Sequence, residues 1–209
     1  EWNLTNEIGF GGSIRLLKNV AGLWLLQECR RSWMADGAEY DYGELTRLAA
    51  EARPFAAVIH PDAFLHPGRM PERIAAYCRR TGQTPPASVG EFSRTILESL
   101  ALRYRQVLEG LESVTGRQIK IIHIVGGGSR NHVLNQLVAD ATERLVVAGP
   151  AEATAAGNVL VQAIGAGELA GLAEARALVR RSSDLKMFEP KDSGVWAEVY
   201  ARFVSLPLD

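Results

Sequence analysis

The chain has 209 residues, 47% of them hydrophobic and 22% charged, with a formal net charge of −1. That composition suits one globular domain with a sizeable core, and so small a charge gives no electrostatic reason to expect nucleic acid or an anionic membrane as partner. No apolar run reaches the roughly 18 residues of a membrane span, and no signal peptide opens the chain, so a cytoplasmic protein is expected. The first residue is Glu1 rather than Met, which reads as a chain that begins partway into a longer protein.

Residues 1–15 are polar and glycine-containing and read as a strand end followed by a loop. Residues 17–34 read as one strongly apolar helix. Asn19 and Gln27 stand out on it as polar residues among Val20, Leu23, Leu25 and Leu26. Eight residues separate them, roughly 12 Å along a helix axis and within one broad face. That spacing suits the two ends of a nucleoside, and equally two residues that cap or bridge neighbouring loops. A short helix is expected over 44–52, an extended run over 56–60, and a helix over 71–80 with Pro71 in its first turn. Ser88 and Glu91 form a capping box that opens a long helix, with Phe92, Ile96, Leu100, Tyr104, Val107 and Leu111 on its core stripe and Gly116 beyond its end. Cys29 and Cys78 fall in helical patterns with no C-x-x-C spacing, as reduced thiols used as small core residues do. The four histidines show no zinc-ligand spacing.

The most informative stretch is IKIIHIVGGGSRNHVLNQLVAD, residues 119–140. Ile119, Ile121, Ile122, Ile124 and Val125 make a nearly unbroken β-branched run, the pattern of a strand covered on both faces in a parallel sheet. Gly126, Gly127 and Gly128 follow, and they carry no Cβ to block a flat ligand. Leu134, Leu137, Val138 and Ala141 then fall on one helical stripe. Residues 144–148 read as a second strand, which completes a βαβ unit with a right-handed crossover. A dinucleotide fingerprint would need glycine at Asn131, and a P-loop would need Gly-Lys-Ser/Thr; neither is present. A plain tight turn and a ligand-contacting turn both remain open. Beyond it a helix is expected over 152–164, where Ala155, Ala156 and Gly157 would let it press close to its neighbours. Two more helices are expected, over about 172–181 and 193–204. Two or three strands are too few to make a well-covered sheet for so many helices, so partner strands are expected upstream of Glu1.

At these residues the chain resembles the C-terminal domain of the FGGY family of carbohydrate kinases. The general signature is GGGSRNHVLNQLVAD (126–140) followed by GPAEATAAGNVLVQAIGAG (149–167). A narrower resemblance, to the rhamnulokinases of that family, rests on TNE-x-G-x-GG (5–12), LKNVAGLWLLQECRR (17–31), HPDAFLHPGRMPERIAAYCRRTGQ (60–83) and the long helix containing LALRY. Ile8 departs from it, since relatives usually carry glycine there, which leaves the course of the loop at 6–12 open.

The resemblance implies an α/β fold, a ribonuclease-H-like (actin/hexokinase-type) domain incomplete at its N-terminal strands. Residues 1–209 would be the nucleotide-binding C-terminal domain, lacking the sugar-binding N-terminal domain and the start of this one. It implies ATP and Mg²⁺ as cofactors and a ketose as phosphoryl acceptor, L-rhamnulose giving L-rhamnulose 1-phosphate. Gly127 is then the first candidate for backbone contact with the adenosine, with Gly126 and Gly128 beside it. Asn19 and Gln27 match nucleotide-contacting positions, and Asn131 either joins the adenosine pocket or caps the helix. No catalytic residue is expected here: the family's catalytic Asp would lie upstream of Glu1, and Asp62 and Asp140 are read as structural. No metal ligand is expected either. The segment alone should be inactive, and it should pair its open sheet edge with the missing N-terminal part or with a second copy. The alternative is a non-catalytic nucleotide-binding or interaction module that keeps the same fold.

Overall fold

The computed structural model describes residues 3–191 and 194–208. The expectations for residues 1–15 and 193–204 therefore extend partly beyond the described residues.

The longest element, α4, spans Val89–Thr115. Ser88 starts it: its hydroxyl accepts from the Glu91 N–H at 3.2 Å, while the Glu91 carboxylate turns back to accept from the Ala87 N–H at 2.8 Å. Gly116, at φ +66°, stops it, and its N–H donates to the Glu112 carbonyl at 2.8 Å. The expected single stripe is too narrow. Every residue from Thr95 to Arg103 is buried, because helices pack around the middle of α4 on several sides. Among them are α1 (Trp24–Ala35), α2 (Tyr42–Glu51) and α5 (His132–Thr142). Trp196 and Phe203 of α8 (Gly194–Val204) close the core from the C-terminal end.

The run at 56–60 pairs with no strand. Side chains satisfy its backbone instead, as buried peptide groups require. Phe55 N–H donates to the Glu98 carboxylate at 2.8 Å, and Ile59 N–H to the Ser99 hydroxyl at 3.0 Å. Gln83 takes Val58 on both sides, its amide oxygen accepting and its amide nitrogen donating, each at 2.8 Å. Asp62 is paired with Arg103 at 2.7 Å. The His60 ring stacks on Phe203 with 5.0 Å between centroids, and burial lowers its pKa.

The expected helix at 17–34 divides. Ile14–Leu17 forms β2, antiparallel to β1 (Thr5–Ile8), with Ile8 opposite Ile14. Gly22 takes a left-handed φ of +54°, and only after it does α1 begin. Ile8 ends β1 and is 90% exposed. Cys29 on α1 and Cys78 on α3 (Met70–Arg80) are unpaired and buried. Burial raises both thiols, Cys78 to about 11, which leaves them protonated and unreactive at neutral pH.

The βαβ unit is present. Strand β3 (Ile121–Ile124) runs parallel to β4 (Leu145–Ala148), with α5 between them. A third strand, β5 (Lys186–Phe188), pairs antiparallel with β4, which makes β4 central and β3 an edge. Coverage of β3 on both faces is not found. Ile122 and Ile124 pack on the core, but Ile121 and Val125 stay 45% and 52% exposed. No element of the described residues lies over that face. Nor does anything crowd the small residues of α6 (Ala153–Gly165): a Cβ at Gly157 would meet nothing within 4 Å. The expectation of close packing there fails. Helix α7 (Leu172–Ser182) is likewise buried only at Ala175.

Helix α2 meets α4 at Gly90, where a Cβ would lie 2.7 Å from the Leu48 carbonyl oxygen. Four residues on, Arg94 donates to the Ala49 and Ala50 carbonyls at 3.2 Å and pairs with buried Glu98 at 2.7 Å. Gly90→Ala should therefore force the helices apart and destabilise the fold by about 1–3 kcal/mol, measured by denaturant unfolding. Glu98 supplies a pH signature. Burial outweighs Arg94 and the Phe55 N–H and pushes its carboxyl up to about 7. With the folded value above that of the unfolded chain, the stability Glu98 contributes is whole below about pH 4.5 and lost as pH rises through about 7. The stability difference between wild type and Glu98→Gln should fall over that window, by on the order of 3 kcal/mol. A pH-independent difference would count against it.

Candidate functional site

Three elements meet around a cleft of about 550 Å³, within the range of small-molecule sites. The glycine turn forms one side, through Gly127, Gly128, Arg130 and Asn131; the entry to α1 gives Leu23, and α1 itself Leu26 and Gln27; α2 gives Tyr42, Gly43 and Thr46.

The turn is built by backbone geometry. Gly126 has φ +75°, a conformation that side chains disfavour. Its N–H donates to the Pro150 carbonyl at 3.0 Å, and its carbonyl accepts from the Ser129 N–H and hydroxyl at 3.0 and 2.7 Å. Fully buried Asn135 holds the turn from below by donating to the Ser129 carbonyl at 2.9 Å. Gly126 is thus the hinge, and it does not line the cleft. Gly127 differs from it. It needs no left-handed φ, and a Cβ there would meet nothing within 4 Å. Neither local geometry nor packing calls for glycine at that position.

Asn131 caps α5: its amide oxygen accepts from the Leu134 N–H at 2.9 Å. That bond uses one lone pair of the oxygen and fixes the carboxamide, leaving the amide nitrogen as a donor for a ligand. Gln27 is exposed on the α1 side and can both donate and accept. Asn19 is not on α1 and does not line the cleft. It is exposed in the connection between β2 and α1, so the eight-residue helical spacing from Gln27 does not exist. The left-handed Gly22 is the reason. Tyr42 and Thr46 join the lining although nothing in their local pattern marks them; contacts between helices distant in sequence put them there, whereas His132 lines it as the neighbour of Asn131.

The lining contains no carboxylate, and among the described residues no group of three or more His, Cys, Asp or Glu is placed to hold a metal ion. Asp140 is committed elsewhere, accepting from the Lys191 N–H and the Gln136 amide at 2.8 Å each. Asp62 is held by Arg103. The Arg130–Glu152 pair at 3.4 Å is largely exposed and adds little to stability. Among the described residues no helix is long and apolar enough to cross a membrane. What the arrangement offers is binding: an apolar-walled slot with bare backbone on one side and amide groups on two.

Residues 2–166 match the family model described as "FGGY family of carbohydrate kinases, C-terminal domain". The chain belongs to that family. It is similar to a rhamnulokinase of Bacteroides thetaiotaomicron, with 48% identity over 203 residues covering 96% of this chain and 41% of that protein. A Bacillus subtilis rhamnulokinase is 43% identical over 194 residues, covering 92% of this chain and 39% of its own length. The chain thus spans about two-fifths of the curated relatives it matches. Among solved structures it resembles a ligand-bound xylulose kinase from Lactobacillus acidophilus, with TM-score 0.67 and 14% identity over 96% of this chain and 41% of that one. A Plasmodium falciparum glycerol kinase with ADP gives TM-score 0.64 and 15% identity over 96% and 40%. At those identities the likeness is one of fold, an α/β FGGY-type kinase domain.

The cap is the testable link between fold and site. Asn131→Ala should cost about 0.5–2 kcal/mol of stability through the lost cap. Asn131→Asp keeps an acceptor for Leu134 and should retain most of that stability while removing the amide donor from the cleft. Unfolding curves for the two variants check both statements.

Proposed function

We propose that the chain is the nucleotide-binding part of a sugar kinase and that its glycine-floored cleft takes the adenosine of ATP. One observation carries the reading. Gly127 is glycine where neither dihedral angle nor neighbour demands it, beside a cleft that a side chain would enter. Gln27, Gly128 and Asn131 share that lining and are the other contacts; Gly126 shapes the turn, and Asn19 has no part in the slot.

The whole protein would transfer the γ-phosphoryl group of ATP to a ketose, with L-rhamnulose as substrate and L-rhamnulose 1-phosphate as product. Support for that sugar comes from the rhamnulokinase relatives. The fold would be of the ribonuclease-H-like, actin/hexokinase type, with residues 1–209 as the C-terminal domain. Remaining strands would pair at the β3 edge, and further elements would cover the face on which Ile121 and Val125 are exposed. Phosphoryl transfer relies on positioning, charge neutralisation and a base for the attacking hydroxyl. In this chain the cleft positions the nucleoside end: Leu23, Leu26 and Tyr42 exclude water, while Gln27 and Asn131 orient the ligand. Mg²⁺ would supply charge neutralisation at the phosphates, with ligands from outside this carboxylate-free lining. Asp62 and Asp140 are both engaged structurally, so the base would come from the rest of the protein.

The experiment compares a full-length protein carrying this segment with residues 1–209 alone. Ketose-dependent ATP turnover should appear only in the former. There, Gly127→Val should raise KM for ATP about tenfold or more, with a smaller effect on kcat, as expected when ground-state binding is lost. An unchanged KM would remove the glycine turn from the site. Turnover by the segment alone would overturn the division of labour, and no turnover in either form would favour a non-catalytic nucleotide-binding module.

A further inference from the structure

Tyr42 lines the cleft and is not among the residues packed in or against the hydrophobic core. Its backbone is fixed at both ends of the first turn of α2. The Asp41 carboxylate before it accepts from the Glu44 N–H at 2.7 Å, and its own carbonyl accepts from the Thr46 hydroxyl at 2.7 Å. The residue, by contrast, is 46% exposed. One ring face carries the Arg30 guanidinium, whose carbon lies 5.1 Å from the ring centroid. Arg30 is anchored in turn, its Nε donating to the Tyr40 carbonyl at 2.6 Å. Tyr42 lines the cleft and Arg30 does not, so the guanidinium restrains the ring without itself occupying the cleft wall.

An aromatic ring restrained on one side and open on the other is a preformed surface for a second flat ring. A cation–π contact of this kind fixes orientation before any ligand arrives, which reduces the ordering cost of binding. Across the cleft, Gly127 and Gly128 offer backbone without side chains. We propose that Tyr42, backed by Arg30, is the stacking wall for the purine, and that it selects for a heteroaromatic base over the phosphate chain alone. The assignment rests on the nucleotide reading of the cleft and adds a residue to it.

The test uses a full-length protein carrying this segment, with ATP as substrate and inorganic tripolyphosphate as a base-free competitive probe. Tyr42→Ala should raise KM for ATP about tenfold, the usual scale for losing one base–aromatic stack, with the loss in KM rather than kcat. Tyr42→Phe should recover most of it, since the ring remains, and Arg30→Gln should give a smaller rise. Inhibition by tripolyphosphate should not move in any of them. Tyr42→Leu keeps apolar bulk without the ring and serves if the alanine variant does not fold. If Gly127→Val raises KM for ATP and Tyr42→Ala does not, Tyr42 has no such role while the nucleotide cleft stands. If neither changes it, the nucleotide reading itself fails. Equal weakening toward ATP and tripolyphosphate in Tyr42→Ala would show the ring acting through the fold, which also overturns the proposal.

Discussion

Both sides of the cleft lean on α4. Helix α2 reaches α4 where Gly90 leaves no Cβ against the Leu48 carbonyl, and Arg94 closes the end of α2 by taking two of its last carbonyls. Helix α5, which starts at the glycine turn, packs along α4 as well. Helix α2 also touches α5 directly, so the placing of Tyr42 relative to the bare backbone at 127–128 is set by that contact together with the packing of both helices on α4. Interiors at native packing density do not deform continuously. A change in α4 would be felt across the slot even though α4 contributes nothing to its lining.

The cost of burying α4 on all sides is visible in its polar residues. Glu98 and Ser99 point into the core, and both are used to satisfy a stretch of chain, residues 55–59, that has no strand beside it. Gln83 completes the arrangement. Side chains thus replace a sheet ladder, and a carboxyl is tolerated at zero exposure because two donors meet it.

The glycine turn shows how one short segment serves two purposes. Gly126 needs its left-handed conformation to send the chain from β3 toward α5. Gly127 needs nothing of the kind and leaves space. Asn131 ends the turn with its amide divided between helix and cleft, oxygen to Leu134 and nitrogen free to donate. A purine presents ring nitrogens as acceptors, so a fixed donor at that wall is chemically matched to it. In the proposed nucleotide site, fold and recognition would be joined through a single carboxamide.

The local signals read correctly from sequence are those set by neighbours in the chain. The capping box at Ser88 and Glu91, the stop at Gly116 and the strand–glycine–helix order at 121–142 all rest on contacts within a few residues. The readings that failed depended on distant partners. Apolar periodicity places Asn19 on a helix, but pairing of 14–17 with 5–8 and the left-handed Gly22 take it off. Strand β5 is three residues long and exists because β4 offers an edge. The 119–125 run looks fit for burial on both faces, yet one face of β3 has no cover in the described chain. Sequence alone determined the turn and its floor, because backbone angles and missing side chains are properties of the residues themselves. Tertiary structure decided the opposite wall, Tyr42 and Thr46, because only the packing of α2 on α4 and α5 brings a helix some eighty residues away to face those glycines.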